Sequence, residues 1–410
     1  MDIHLQKSEL YKESVTLEIT GSKSETNRLL LLQALYPALR IENASNSDDS
    51  KVMTQALSSN TSVVDIHHAG TAMRFLTAYF AMKAGKTVTL TGSLRMTERP
   101  IEILVNALDV LGADISYQNH NGFPPLVIKG KSLVKHKVSL QANVSSQYIS
   151  ALLLIAPQLK NGLELTLEGT MTSVSYIKMT LDLLEQIGVK TTFQNQVITV
   201  FPKPDGVEQQ TIVVESDWSS ASYFYSCVAL SSVGTSITLK SYKKTSLQGD
   251  SVLAELYKEF GVSSQFRDHS LILTKTEEVE KDTGIAFNLA NAPDIAQTIT
   301  VTALGLGLSC DLTGLHTLKI KETDRLEALK TEIEKLGGKI NVTESSLHLA
   351  KNEKCNPDIS IATYNDHRMA MAFAPLALKI PIRIEDASVV SKSYPEFWDD
   401  LKRIGFHFNK

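Results

Sequence analysis

One helix-end phrase recurs along the chain and limits what it can fold into. It reads ALDVLGADI, LLEQIGVKT, LYKEFGVSS, EIEKLGGKI and DLKRIGFHF, with its glycine at Gly112, Gly188, Gly261, Gly337 and Gly405. In each, an apolar-periodic helix runs into a residue that takes the left-handed backbone at little cost, a common way for helices to stop. Strand-like alternation usually follows, as in VKTTFQNQVITVF and KINVTESSLHLA. A period of roughly 70 residues is long for a solenoid and suits small subdomains arranged about pseudo-symmetry.

Working back from each glycine gives a longer plan. A first helix (SQYISALLLIAPQLKNG) leads to a short strand (LELTLEG), and a second helix (SYIKMTLDLLEQIG) leads to a pair of strands. GTAMRFLTAYF, SSASYFYSCVAL, DIAQTITVTALG and HRMAMAFAPLAL open further copies, and a degenerate copy begins at SETNRLLLLQALY. Six αβαββ units in 410 residues predict an α/β protein of two pseudo-threefold domains, each of three subdomains. The expected boundaries are residues 21–214 for the first domain, and residues 1–20 with 215–410 for the second. The strand-like SVTLEIT has no helix before it, so it is expected to complete the second domain.

The polar residues that look chemical fall at equivalent places in these copies. First helices begin with SKSETNR, AGTAMR, SSQ, DWSS, PD and NDHR; second helices begin with RMTER, SVSY, KETDR and SKSYP. Ser, Thr, Asp and Asn cap helices everywhere, so capping accounts for many of them. It does not account for Lys23, Arg28, Arg74, Arg95, Lys321, Arg325, Arg368 and Lys392. A cation in a first turn opposes the helix dipole, and a bound anion restores the balance. Formal net charge is −4, so these cations are gathered locally and no general basic face exists for a nucleic acid. Asp294 and Glu322 sit among them. Capping and a structural ion pair are their plain roles, and a carboxylate beside cations is also a candidate acid or base.

Other chemistries are poorly supported. GSKSETNR is not a P-loop, His67 and His68 are adjacent and so point apart, and no dinucleotide fingerprint or GxSxG elbow is present. No metal site and no organic cofactor are expected. Cys227, Cys310 and Cys355 form no CxxC pair, and the first two lie in apolar stretches, as packing residues of a reducing compartment do. With no signal-peptide pattern and no apolar run long enough for a bilayer, the expectation is a cytoplasmic protein off the membrane.

SKSETNR, AGTAMR, LRMTERP, VSSQY, PD, KETDR, NDHRMAM and SKSYPEF, in this order, resemble the 5-enolpyruvylshikimate-3-phosphate synthase family from about Gly21 to Trp398. The resemblance implies the enolpyruvyl transferase fold, an inside-out α/β barrel of two domains that close on substrate. It implies transfer of the enolpyruvyl group of phosphoenolpyruvate to the 5-hydroxyl of shikimate 3-phosphate, with release of phosphate, by a monomer. By motif, Lys23, Ser24, Arg28, Ser145, Ser146, Gln147, Ser173, Tyr176 and Asp294 would bind shikimate 3-phosphate, with Lys321 reaching it from the other domain. Lys23, Gly70, Arg95, Gln147, Arg325, Arg368 and Lys392 would hold phosphoenolpyruvate. Asp294, Glu322 and Lys23 would be catalytic. Glyphosate inhibition is expected, because Gly70 lacks a side chain that could crowd the pocket.

Four positions depart from the family's usual pattern. His68 stands for a common Asn, Phe75 for a Pro, Val174 for a Lys, and Thr317 for an Asn that helps hold the shikimate phosphate. The sister family that transfers enolpyruvyl to UDP-N-acetylglucosamine carries a mobile-loop Cys, and TGSLRMTERP has none. The RNA 3′-phosphate cyclase group shares the subunit fold but calls for a basic face. A non-catalytic anion-binding protein on the same scaffold would not need to keep both acids.

Overall fold

The computed structural model describes residues 1–142, 145–169, 171, 173–280, 282 and 284–409. Val144, quoted above in VSSQY, lies outside them. The chain divides into two compact units, Gly21–Val214 and Met1–Thr20 with Glu215–Lys410.

In the unit Gly21–Val214, the helices Lys23–Leu35, Gly70–Met82 and Ser146–Ile155 pack on one another. In the other unit, Trp218–Ala229, Ala296–Leu306 and His367–Phe373 do the same. Apart from Lys23–Leu35, these helices are buried nearly all round. Gly70–Met82 leaves only Thr71 and Met82 short of full burial, so its sequence carries almost no polar face. Where polar side chains do enter the helix contacts they pair with each other. Ser222 meets Thr298 at 3.0 Å, and the Thr302 hydroxyl donates to Ser226 at 2.8 Å.

The sheets pack against the helices, alternating buried and half-buried residues along strands such as Leu163–Glu168 and Ser270–Lys275. Five sheets have four strands and one has two, and none of the described sheets closes into a barrel. Hence the inside-out order consists of helices at the centre and open sheets around them.

Four of the five four-stranded sheets hold a strand that the αβαββ plan lacked. Val63–Asp65 precedes the helix Gly70–Met82 and runs parallel to Thr87–Thr91 after it. Lys137–Gln141 with Leu163–Glu168, Ile285–Asn288 with Cys310–Thr313, and Ile359–Ile361 with Ile382–Ile384 repeat the arrangement. Such three- to five-residue strands are too short to show a period in sequence. Two helices take their parallel strand from far along the chain. Leu39–Glu42, after the helix Lys23–Leu35, pairs with Gln210–Val213. Ser236–Lys240, after Trp218–Ala229, pairs with Val15–Leu17, and Ile3–Leu5 pairs with Phe408–Asn409. The first copy has no hairpin of its own. In the fourth, the second helix is broken into Gly249–Val252, Leu253–Leu256 and Tyr257–Phe260.

The recurring glycines behave as their phrase predicts. Gly112, Gly188, Gly261, Gly337 and Gly405 all have positive φ, between 69° and 117°. Cys227 and Cys310 are buried, and burial pushes the Cys310 thiol up to about 12. No helix among the described residues is long and apolar enough to cross a membrane.

Candidate active site

The starts of the central helices carry the polar groups, and each unit gathers its own set. In Gly21–Val214, the Ser22 hydroxyl caps the first helix by accepting from the Glu25 amide. Capping therefore leaves Lys23 free to reach sideways, and its Nζ lies 3.3 Å from Asp49 Oδ2. The other oxygen of Asp49 is 3.6 Å from His68 Nε2. Asp49 is buried at the start of the helix Asp48–Ser58, where the dipole favours its charge.

Arg28 lies one turn on and is buried. Its Nε donates to Thr180 Oγ1 at 2.8 Å, Nη1 to the Ser24 carbonyl at 2.8 Å, and Nη2 to Ser150 Oγ at 2.9 Å and the Tyr176 carbonyl at 3.4 Å. The rings of Phe75 and Tyr176 flank the guanidinium at 5.4 and 5.7 Å. Burial pulls its pKa down to about 10, against the opposing influence of Tyr176 and Glu25. Arg28 thus ties together the helices that carry Ser24 and Tyr176, and Phe75 serves as its platform.

The remaining groups of this unit sit around the same helix starts. Ser145 caps the helix Ser146–Ile155 by accepting from the Gln147 amide, and Gln147 Nε2 donates to Thr71 Oγ1 at 3.1 Å, one residue from Gly70. Ser146 is buried, and Ser173 precedes the helix Val174–Gln186 with a left-handed φ of 51°. A Cβ on Gly70 would lie 3.0 Å from Cζ of Arg99, so the glycine makes room for that guanidinium. Arg74 donates to the Gly70 carbonyl at 3.3 Å and the Pro100 carbonyl at 2.9 Å, fixing this helix start to the segment after RMTER. Arg95 is half-exposed and pairs with Glu98 at 3.0 Å.

In the unit that holds the carboxyl terminus, Arg325 is the hub, 2% exposed. Its Nε donates to Asp366 Oδ2 at 2.6 Å, Nη1 to Asp294 Oδ1 at 2.9 Å, and Nη2 to Glu322 Oε2 at 2.8 Å. Burial opposes the charge, but Asp366, Glu322 and Asp294 outweigh it and raise the pKa above the ordinary arginine value. Asp294 also lies 3.4 Å from Lys321 Nζ and 3.4 Å from Arg368 Nη2, so three cations surround one carboxylate. Asp366 caps the helix His367–Phe373, accepting from the Arg368 amide at 2.9 Å. Lys392 donates to the Asn365 carbonyl at 2.6 Å, beside that cap.

The geometry brings Asp294, Lys321, Glu322, Arg325 and Arg368 into one cluster, with Lys392 attached through Asn365. All three nitrogens of Arg325 donate to acids, which fixes the guanidinium in one orientation. Asp49, which holds Lys23, carries no mark in its own sequence neighbourhood. Asp366 was read only within NDHR. Thr317 Oγ1 is buried without a hydrogen-bond partner among the described residues, at the position where the family's Asn is missing. Among the described residues no group of three or more His, Cys, Asp and Glu is placed to hold a metal ion.

The family model for EPSP synthase (3-phosphoshikimate 1-carboxyvinyltransferase) matches residues 58–401. A 3-phosphoshikimate 1-carboxyvinyltransferase of Bacteroides fragilis is 45% identical over 400 residues, covering 95% of each chain. One from Haemophilus influenzae is 34% identical, covering 95% of this chain and 96% of its own. Among solved structures, EPSP synthase from Acinetobacter baumannii superposes with a TM-score of 0.78 at 19% identity, covering 100% of both chains. The enolpyruvyl transferase NikO from Streptomyces tendae gives 0.73 at 12%, covering 100% of this chain and 98% of its own. At those identities the structural likeness is one of fold. With the family model spanning most of its length and relatives this similar along 95% of it, the chain belongs to the EPSP synthase family.

Proposed function

We propose that this chain is a transferase that moves the enolpyruvyl group of phosphoenolpyruvate onto the 5-hydroxyl of shikimate 3-phosphate and releases phosphate. The observation that carries the reading is the cluster in which Asp294 meets Arg325, Lys321 and Arg368, with Glu322 on the same guanidinium. The reaction joins two polyanions, and their repulsion has to be offset by fixed cations. It also needs two proton-handling groups. The hydroxyl loses its proton as its oxygen bonds to C2 of phosphoenolpyruvate, and C3 gains one. Phosphate then leaves C2 as a proton is removed from C3.

Asp294 is the base toward the hydroxyl. Its carboxylate is ion-paired, and its burial among cations keeps it oriented. Glu322, with a side chain 25% exposed against 10% for Asp294, serves C3 together with Lys23. Arg368, Lys392, Arg95, Gln147 and the backbone at Gly70 hold phosphoenolpyruvate, with Arg325 fixing both acids as well as contributing charge. Ser24, Ser145, Ser146, Gln147, Ser173, Tyr176 and Lys321 bind shikimate 3-phosphate, and Arg28 orders the elements that present them. Residues 21–214 form one three-repeat enolpyruvyl transferase domain, and residues 1–20 with 215–410 the other. The protein works as a cytoplasmic monomer and is inhibited by glyphosate.

Phosphate release tests the reading, with shikimate 3-phosphate and UDP-N-acetylglucosamine supplied separately alongside phosphoenolpyruvate. Release that depends on shikimate 3-phosphate and disappears in Lys23→Ala is the expected result. Release with the nucleotide sugar alone would overturn it.

A further inference from the structure

A second carboxylate reaches the Asp294 cluster through a serine. Asp250 lies in the short turn Gly249–Val252 and is 6% exposed. The Ser219 hydroxyl donates to Asp250 Oδ2. Arg368 Nη2 donates to Ser219 Oγ at 3.2 Å, and the same nitrogen lies 3.4 Å from Asp294 Oδ2. An ionised carboxylate only accepts and a guanidinium only donates, so the single proton of Ser219 goes to Asp250 and its lone pairs face Arg368. The order of donors and acceptors along Arg368, Ser219 and Asp250 is therefore fixed.

Local architecture does not call for this arrangement. Asp217 already caps the helix Trp218–Ala229 by accepting from the Ser220 amide at 2.8 Å. Gln248 already anchors the neighbouring loop, accepting from the Trp218 amide at 2.8 Å and donating to the Ser216 carbonyl at 3.0 Å. The carboxylate at position 250 is also held against resistance. Burial first, and then the charge of Asp294, push its pKa up to about 6, against the opposing pull of Arg368 and Ser219. A group retained at such a cost points to a role in the site.

We propose that Asp250 and Ser219 are positioning residues for the enolpyruvyl transfer, holding Arg368 in register with Asp294 through the Ser219 hydroxyl. This rests on the assignment of Arg368 to phosphoenolpyruvate. Neither residue touches the reacting atoms, and both act by limiting where the guanidinium can sit.

Steady-state kinetics on the full-length enzyme separate this role from a purely structural one. Ser219→Ala is expected to raise KM for phosphoenolpyruvate roughly tenfold, as loss of one hydrogen bond to a charged group does, and to leave KM for shikimate 3-phosphate within about twofold. Ser219→Thr keeps the hydroxyl and should restore the first KM. Asp250→Ala leaves the Ser219 hydroxyl without its acceptor and should change phosphoenolpyruvate KM in the same direction. An unchanged phosphoenolpyruvate KM in Ser219→Ala, or equal changes in both KM values, overturns the inference. So does lowered thermal stability with normal kinetics. A folded wild-type protein that releases no phosphate from either substrate pair counts against the assigned reaction. In that case the relay is read from calorimetric phosphoenolpyruvate affinity of wild type against Ser219→Ala, where equal affinities overturn it.

Discussion

Asp366 holds Arg325 through Nε at 2.6 Å, and both side chains are cut off from solvent. The other oxygen of Asp366 caps the helix that begins with His367 and Arg368. One carboxylate thus fixes the cation that grips Asp294 and Glu322, and also the helix start that presents Arg368. Removing it should damage stability and activity together. Taking one partner from a buried ion pair strands charge, and losing a cap adds to the cost, so Asp366→Ala should lose about 3–5 kcal/mol. Trp218 and Trp398, the protein's two tryptophans, lie in the same unit, so tryptophan fluorescence during urea unfolding reads that loss. A change below about 1 kcal/mol would mean that Asp294 and Glu322 hold Arg325 unaided.

Asp294→Asn keeps the shape of the side chain and removes its capacity to take a proton. A positioned general base is worth about 10²–10⁴ in rate, so kcat should fall by that factor while the fold survives. Loss of the ion pairs to Lys321 and Arg368 acts on binding, so KM for both substrates is the accompanying measurement. Turnover near the wild-type rate would remove Asp294 from the base role.

These two cases show how far the residues could be read in order. The helix ends were legible, because a glycine after an apolar-periodic run leaves a local mark, and Gly112 and Gly405 cap their helices with φ of 106° and 117°. The leading strands were not, because VVD and ISI are three residues long and owe their state to a partner strand. The basic residues at helix starts stood out because they oppose the dipole. Their acidic partners did not, because Asp49 lies on a different helix from Lys23, and Asp366 on a different helix from Arg325. Nothing local to LQGDSV marks Asp250, whose meaning comes from Ser219 and Arg368. Phe75, flagged as a departure, is explained by the guanidinium of Arg28 above its ring.

Gly70→Ala puts a methyl group against the guanidinium of Arg99, 3.0 Å from Cζ. The obstacle is the end of a flexible side chain, so the fold should absorb it at a cost under about 1 kcal/mol. Arg99 cannot keep its place over the helix start, however. The expected outcome is a several-fold rise in KM for phosphoenolpyruvate with unchanged shikimate 3-phosphate KM, and a parallel loss of glyphosate inhibition. Equal kinetics in the two enzymes would show that the space at Gly70 is not part of the anion pocket.

Asp250 should make the stability of the unit that holds the carboxyl terminus depend on pH in an unusual direction. In the unfolded chain its carboxyl titrates near the ordinary aspartate value of 3.8, whereas burial, with Asp294, raises it to about 6 in the folded protein. Between those values the folded state keeps a proton that the unfolded state has released. Stability from this group therefore falls as pH rises from about 4 to about 6, and the penalty is fully present above that. Asp250→Asn lacks the penalty and still offers Ser219 an acceptor oxygen. It should be more stable than the wild type near neutral pH, by roughly 1–3 kcal/mol, and the advantage should vanish as the pH approaches 4. Urea midpoints by tryptophan fluorescence at several pH values across this window measure the difference directly. An advantage that stays constant down to about pH 4 would assign it to packing, and a variant less stable at neutral pH would mean that the ionised Asp250 is favourably held.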